Sequence, residues 1–266
     1  MYDKIISIRE SDGNIVTLES HKILHSTSRL ARKYAQNGQP DRYAVLSEAI
    51  KHPDGSIERG MFLSLILRPS FFPSQASLLG ALSAVATVKA LEEHTSKHIG
   101  LGWVSDIYCD GVRIGNTTIE GKLNDYTAYE YLIVSFSVRL DQKSFPPRLN
   151  DLIVEVFESG KDTMALIIAQ NVLAKFFSLY GHLRNPSKFM DTYSEKFLLR
   201  GVKIKYDGGE KRCTCRVTGI DARTGALLIN LRGVSDEHPV TSPSLVTIPK
   251  RIRVKRVKKE KKEKGS

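Results

Sequence analysis

Few side chains in this sequence have the type and spacing to hold a phosphate, a metal or a nucleophile. Gly115 and the pair Gly121-Lys122 bracket five residues. A phosphate-gripping loop needs four residues there and a hydroxyl after the lysine. Leu123 stands in that place and the segment has strand composition, so no such loop is expected. His94 and His98 are four apart beside Glu92 and Glu93, a spacing that suits two metal ligands. Imidazoles at that point also complement a helix C-terminus; Gly100 ends the helix nearby and no third ligand accompanies them, so the second reading is preferred. His21 and His25 share the spacing but flank a strand. Cys213 and Cys215 are separated by one residue, whereas zinc sites use a two-residue gap and a second pair. They read as small strand residues, and no metal site is expected. No Gly-x-Ser-x-Gly turn is present to present a serine nucleophile.

Composition narrows the class. The 266 residues are 41% hydrophobic and 26% charged, ordinary for a folded chain large enough for two domains. Apolar runs such as 61–67 are too short to span a bilayer, and the first residues, Met1-Tyr2-Asp3-Lys4, do not resemble a secretion signal. Three cysteines cannot build a disulfide framework. These features predict a cytoplasmic protein with no membrane span. The formal charge of +11 is concentrated at one end: residues 250–266 hold ten Lys or Arg and two Glu, leaving 30 basic and 27 acidic residues before them. Such a tail suits weak, unspecific polyanion binding. A solubilising role explains it equally well.

The elements that must position any site follow from pattern. Residues 1–22 read as a small hairpin about Asp12-Gly13-Asn14. Residues 23–25 read as a strand running into Ser26-Thr27-Ser28, hydroxyls suited to capping a helix to about 35. Strands are expected at 43–47 and 61–67, with a polar loop between, and a helix from Pro73 to about 93, one face carrying Leu78, Ala81, Leu82, Val85 and Val88. Strand-like pieces follow at 101–104, 107–109, 112–114 and 117–123, with a hairpin signal at Asp110-Gly111. A longer strand covers 129–138. Asp162-Thr163 is a cap for a helix ended by Gly181, and a further helix covers 187–195. From 199 the period becomes two, as in a small barrel.

This order of elements resembles the biotin–protein ligase family over about residues 23–248, and the lipoate–protein ligases more distantly. Ser26-Thr27 resembles the family's Ser-Thr-Asn motif. Trp103-Val104-Ser105-Asp106-Ile107-Tyr108 resembles its Lys-Trp-Pro-Asn-Asp-Leu-Tyr motif. Asp162-Thr163 and Gly201-Val202-Lys203 match its later part in order and spacing. The resemblance implies an α+β fold: a biotin/lipoate-ligase-like mixed sheet flanked by helices over 1–198, an SH3-like C-terminal β-barrel over 199–248, and a basic tail over 249–266.

The resemblance also implies a reaction. The biotin carboxylate attacks the α-phosphate of ATP, and the acyl group of the resulting biotinyl-adenylate passes to a lysine of a biotin carboxyl carrier domain, with Mg²⁺ often required. Ser26, Thr27, Trp103 and Asp106 would shape the pocket. The sequence departs from the family at the reacting centre. Gly102 stands where the motif lysine falls, and the Gly/Arg-rich loop corresponds to residues 48–60, with Lys51 and Arg59 its basic side chains. The family's small strand residues become Gly115-Asn116-Thr117-Thr118 and Ser135-Phe136-Ser137-Val138-Arg139. Arg59 and Gly102 therefore complete the candidate ligand-binding set, with no catalytic residue assigned. Two readings stay open: a divergent ligase, and a catalytically inactive homologue that binds a ligand or partner. A repressor role is not expected, because residues 1–22 cannot hold a helix-turn-helix domain.

Overall fold

The computed structural model describes residues 4–10, 12–71, 73–140, 164–208, 212–232, 236–249 and 252. The expected cap at 162–163 and most of the basic tail lie outside them. Eight strands form one mixed sheet: β1 (Lys4–Arg9), β2 (Ile15–His21), β3 (Tyr43–Lys51), β4 (Ile57–Leu67), β5 (Ile99–Leu101), β6 (Asp106–Cys109), β7 (Val112–Leu123) and β8 (Tyr129–Arg139). Their order is β1-β2-β3-β4-β8-β7-β6-β5. β2 and β3 run parallel, joined by the helix α1 (Thr27–Gln36), and the other pairs are antiparallel.

Both faces of this sheet are covered. α1 lays Ala31 and Ala35, four residues apart, on Tyr43, Val45, Ile66, Tyr131 and Ile133. Leu63, Leu65, Val134, Phe136 and Val138 point to the other face, where α2 (Leu79–Glu92) and α3 (Met164–Tyr180) close the larger core. The alternation in β8 is the one its sequence predicts. α2 differs from the one-faced helix expected: twelve of its fourteen residues are buried, since the sheet, α3 and α4 (Ser187–Lys196) surround it. Ser83 and Thr87 tolerate that position by donating to the carbonyls of Leu79 and Ser83, at 2.7 and 2.9 Å.

Several boundaries move. Pro73–Leu78 is a 3-10 turn and not the first turn of α2. The expected strand at 23–25 shrinks to a single bridge between Leu24 and Ile50. The expected strand at 101–104 ends at Leu101, and residues 112–114 and 117–123 belong to one strand. Gly115 allows that continuity: a Cβ there would lie 2.0 Å from the Ser137 carbonyl oxygen, so only glycine keeps β7 this close to β8.

Beyond Leu198, whose N–H donates to the Leu101 carbonyl, Gly201 turns the chain with a φ of +79°. A five-stranded antiparallel sheet follows: β9 (Lys203–Tyr206), β10 (Cys213–Ile220), β11 (Leu227–Asn230), β12 (His238–Val240) and β13 (Val246–Thr247), in the order β12-β11-β10-β9-β13. Its inner face, with Ile204, Tyr206, Cys215, Val217, Leu227 and Ile229, joins the main core. Among the described residues, no helix is long and apolar enough to cross a membrane.

Candidate functional site

The segment between β5 and β6 is a turn held from four directions. Gly102 N–H donates to the Asp106 carbonyl at 2.8 Å. The buried Tyr193 hydroxyl, from α4, lies 2.9 Å from the Gly102 carbonyl oxygen and 2.8 Å from that of Val104. Burial pushes its pKa far above the ordinary tyrosine value, so it remains a donor. Ser105 Oγ donates to the Thr117 carbonyl at 2.6 Å, and Thr117 N–H returns a bond of 3.1 Å to Ser105. The Trp103 indole N–H donates at 2.9 Å to the Gly225 carbonyl, in the turn between β10 and β11. The small sheet is thereby tied to this turn.

Beside the turn, β7 continues past the end of β6, and its uncovered edge walls an open cleft of about 710 Å³. Trp103, Val104, Ser105 and Asp106 line one side, Asn116 to Ile119 another, and Pro73, Ala76, Gly80, Tyr129 and Pro243 the rest. Among the described residues the lining holds one carboxylate and no cation of its own. Arg113, on β7, reaches that carboxylate: its Nε and a terminal nitrogen each lie 2.8 Å from Asp106 Oδ1. Arg113 stands outside the lining itself, with its side chain 41% exposed. The Tyr108 phenol is pushed up to about 12, by burial first and by the Asp106 charge second.

Position 102 itself has no room for a side chain. A Cβ on Gly102 would stand 2.7 Å from Tyr108 Cε2 and 3.2 Å from Asp106 Cβ. A cation in this place must come from another residue.

Ser26 and Thr27 lie on the α1 face. Ser26 is the N-cap of α1, accepting from Arg29 N–H at 3.2 Å. Thr27 is buried, and its Oγ1 accepts from Ser64 Oγ at 2.9 Å, which is also 2.9 Å from Ser135 Oγ. Ser135 stands opposite Thr118 in the β7–β8 ladder, and Thr118 lines the cleft. A row of hydroxyls thus crosses the central strands from the start of α1 to the cleft edge. Residues 48–60 form a tight hairpin: β3 and β4 stay paired to Lys51 and Ile57, and His52 N–H donates to the Ser56 carbonyl. Arg59 is exposed on that hairpin, away from the cleft. Glu58 takes Arg139 at 2.5 Å and His52 at 3.1 Å.

Of the six candidates, the structure brings Trp103 and Asp106 to the cleft wall with Gly102 behind them. It connects Thr27 through the hydroxyl row and leaves Ser26 as a cap and Arg59 apart. Arg113, Thr118, Tyr129 and Tyr193 complete the arrangement without having been singled out in the sequence; the hairpin signal at Asp110-Gly111, which folds β7 back on β6, was the available signal for Arg113. His94 Nε2 lies 2.8 Å from Asn171 Nδ2, on α3. Cys215 is buried and Cys213 exposed. Among the described residues, no three His, Cys, Asp or Glu side chains gather for a metal. Mg²⁺ is commonly held by one or two carboxylates together with substrate oxygens; among the described lining residues Asp106 would offer that carboxylate, with its Oδ1 engaged by Arg113.

The helix-flanked mixed sheet followed by a small β-sheet is a fold this chain shares with solved biotin protein ligases. The biotin protein ligase of Aquifex aeolicus in complex with biotin and ATP aligns with a TM-score of 0.64 at 18% identity, covering 86% of this chain and 97% of that one. A biotin protein ligase-like protein of unknown function from Silicibacter aligns at 0.62 and 13%, covering 85% and 94%. In sequence, the bifunctional ligase/repressor BirA of Bacillus subtilis is 25% identical over 170 residues, 60% of this chain and 52% of BirA. The chain spans about half the length of the curated relatives it matches. No protein-family model matches it. In sequence and in fold the chain is similar to biotin protein ligases, at low identity.

Proposed function

We propose that this chain is a divergent biotin protein ligase whose reacting centre is the β7-edge cleft. The observation that carries this reading is the Arg113–Asp106 pair beside Gly102. Joining a carboxylate to a phosphate brings two anions together, and a preorganised cation lowers the cost of the charge that builds between them. In this reading a biotin carboxylate oxygen attacks the α-phosphorus of ATP, forming an acyl–phosphate bond as pyrophosphate leaves. A lysine amine of a carrier domain then attacks the acyl carbon and AMP departs. Arg113 offsets the charge at the α-phosphate, Asp106 holds its guanidinium at the cleft wall, and Thr118 with the hydroxyls behind it offers donors and acceptors to the polar ring of biotin. Residues 1–198 act as the ligase unit, and β9–β13 form the strands of an SH3-like barrel whose Gly225 turn steadies Trp103. The chain works in the cytoplasm, on a biotin carboxyl carrier domain.

A second reading has its own support. The tight 52–56 hairpin stands where the family carries a long Gly/Arg-rich loop, and a closing loop is what shields an acyl-adenylate from water. In that reading the cleft binds ligand without turning it over. Biotin-dependent exchange of pyrophosphate into ATP, with calorimetry of biotin and ATP, decides between them. Exchange above background establishes the ligase; saturable binding with no exchange establishes the silent homologue; no heat with either ligand overturns both.

A further inference from the structure

The loop between β10 and β11, Asp221-Ala222-Arg223-Thr224-Gly225-Ala226, is folded around one carboxylate. Ile220 and Leu227 pair across its base, so the loop must reverse the chain within one strand spacing. Asp221 Oδ1 accepts from the amides of Arg223 and Thr224 at 2.7 and 3.1 Å. The Asp221 carbonyl accepts from Gly225 N–H at 2.8 Å, and Asp221 N–H donates to the Ala226 carbonyl at 2.9 Å. Ala226 N–H donates to Thr224 Oγ1 at 3.2 Å. An aspartate that gathers successive amides in this way fixes a turn. The Arg223 amide, first among its neighbours, holds the Asp221 carboxyl below the ordinary aspartate value, so it is a charged acceptor at neutral pH.

That shape turns one group out of the loop. The Gly225 carbonyl accepts the Trp103 indole N–H at 2.9 Å. Trp103 is 4% exposed and forms part of the cleft wall. Asp221 stays behind that wall: among the described residues, Pro243 is what the small sheet adds to the lining. Tyr193 holds the carbonyls on either side of Trp103, which fixes the backbone but leaves the ring its side-chain rotations. An indole has one polar atom, a donor. Its hydrogen bond to Gly225 therefore selects the rotation, and the loop must keep that carbonyl within reach for the ring to lie on the wall.

We propose that Asp221 is a positioning residue for the cleft: its carboxylate shapes the loop 221–226 so that the Gly225 carbonyl captures the Trp103 indole and sets the ring against the cleft wall. Asp221 is not part of the wall and acts through Gly225 and Trp103. The kinetic consequence rests on the reading of this cleft as the reacting centre. There a carboxylate and an α-phosphate must meet in line, and a misplacement of about 1 Å costs up to about 10²-fold in rate. The small sheet thus serves the reaction by orienting one ring of the large unit.

Trp103 is the chain's single tryptophan, so fluorescence excited selectively at the indole reads this position. The full chain is compared with Asp221→Ala and Asp221→Asn, each held well below its melting temperature. The readouts are the emission maximum, acrylamide quenching and biotin-dependent exchange of pyrophosphate into ATP. Asp221→Ala should shift the emission to the red, increase quenching and lower kcat/KM by about 10- to 10²-fold. Asp221→Asn keeps an acceptor oxygen and should restore both signals. Thr224→Val removes the acceptor of Ala226 N–H; it should shift the emission the same way, and it tests the loop where alanine at 221 prevents folding. Three outcomes overturn the proposal: folded alanine and valine variants with wild-type emission and quenching, which make Asp221 a turn former only; a shifted emission with kcat/KM within about twofold of wild type; or an asparagine variant as impaired as alanine. A wild-type chain without exchange overturns the reading of the cleft instead, and the emission of the variants then decides by itself whether Asp221 sets the indole.

Discussion

Arg113→Ala separates chemistry from stability. The ion pair with Asp106 is short, but the two side chains retain 41% and 26% of their exposure. Water and salt screen such a pair, and half-exposed pairs contribute under about 1 kcal/mol to folding. Loss of Arg113 should therefore lower the melting temperature by no more than about 2–4 °C in a chain of this size. In the proposed reaction the same guanidinium would face charge that exists only as the carboxylate and the α-phosphate merge. Removing one preorganised contributor of that kind costs about 10²–10³ in rate, about 2.7–4 kcal/mol. The assay is biotin-dependent exchange of labelled pyrophosphate into ATP, read as kcat/KM. Arg113→Lys keeps the charge but loses the fork that grips Asp106, and it should fall between wild type and alanine. A rate for Arg113→Ala within about threefold of wild type, on a correctly folded variant, would refute the assignment, because a cation touching the reacting groups cannot be that dispensable.

Three further substitutions probe the scaffold. Tyr193→Phe leaves the carbonyls of Gly102 and Val104 without their buried donor, and should cost about 1–3 kcal/mol in urea unfolding while raising the KM of the exchange reaction. Gly102→Ala drives a methyl into the Tyr108 ring and should destabilise by about 1–3 kcal/mol; Tyr108→Leu should recover part of that loss in a double-mutant cycle, and strict additivity would refute the clash. Glu10 is 5% exposed, its Oε1 has no partner among the described residues, and burial raises its pKa above the ordinary glutamate value. A carboxylate with a raised folded pKa favours the fold below its unfolded value, and that advantage is lost as pH rises through the folded one. Glu10→Gln should therefore stabilise the protein at neutral pH by about 1 kcal/mol, with the gain vanishing in acid; a gain that is constant from pH 7 to about pH 3 would contradict the assignment.

The parts of the fold legible in the sequence are those where one physical rule acts alone. β8 shows its two faces through strict alternation, Asp110-Gly111 turns β6 into β7, and Gly201 admits the small sheet. The rules fail where tertiary packing overrides them. α2 looks amphipathic because Leu78, Ala81, Leu82, Val85 and Val88 share a stripe, yet further alanines and hydroxyls fill its other sides, and small residues are what a helix packed on all sides requires. The break between 112–114 and 117–123 looked real because Gly115 interrupts the apolar pattern; close backbone approach, invisible in sequence, makes it one strand. Trp103 and Asp106 were found through a motif, which fixes local spacing. Arg113 was not, because its importance arises from hairpin register: β6 folds back on β7 and brings residues seven apart into contact.

That register also bears on the glycine at position 102. A missing lysine there reads in sequence as a missing function. In the structure Tyr108 packs beneath the turn and fills the volume any side chain at 102 would need, while Tyr193 and the Gly225 carbonyl fix the backbone around it. Glycine at this point is a packing requirement of a turn rigidly held at the cleft wall. A charge carried on the opposite arm of the β6–β7 hairpin reaches the same carboxylate without entering that volume. Whether the cleft can join two anions is therefore decided by what stands at 113, a position that no inspection of the Trp103 motif alone would examine.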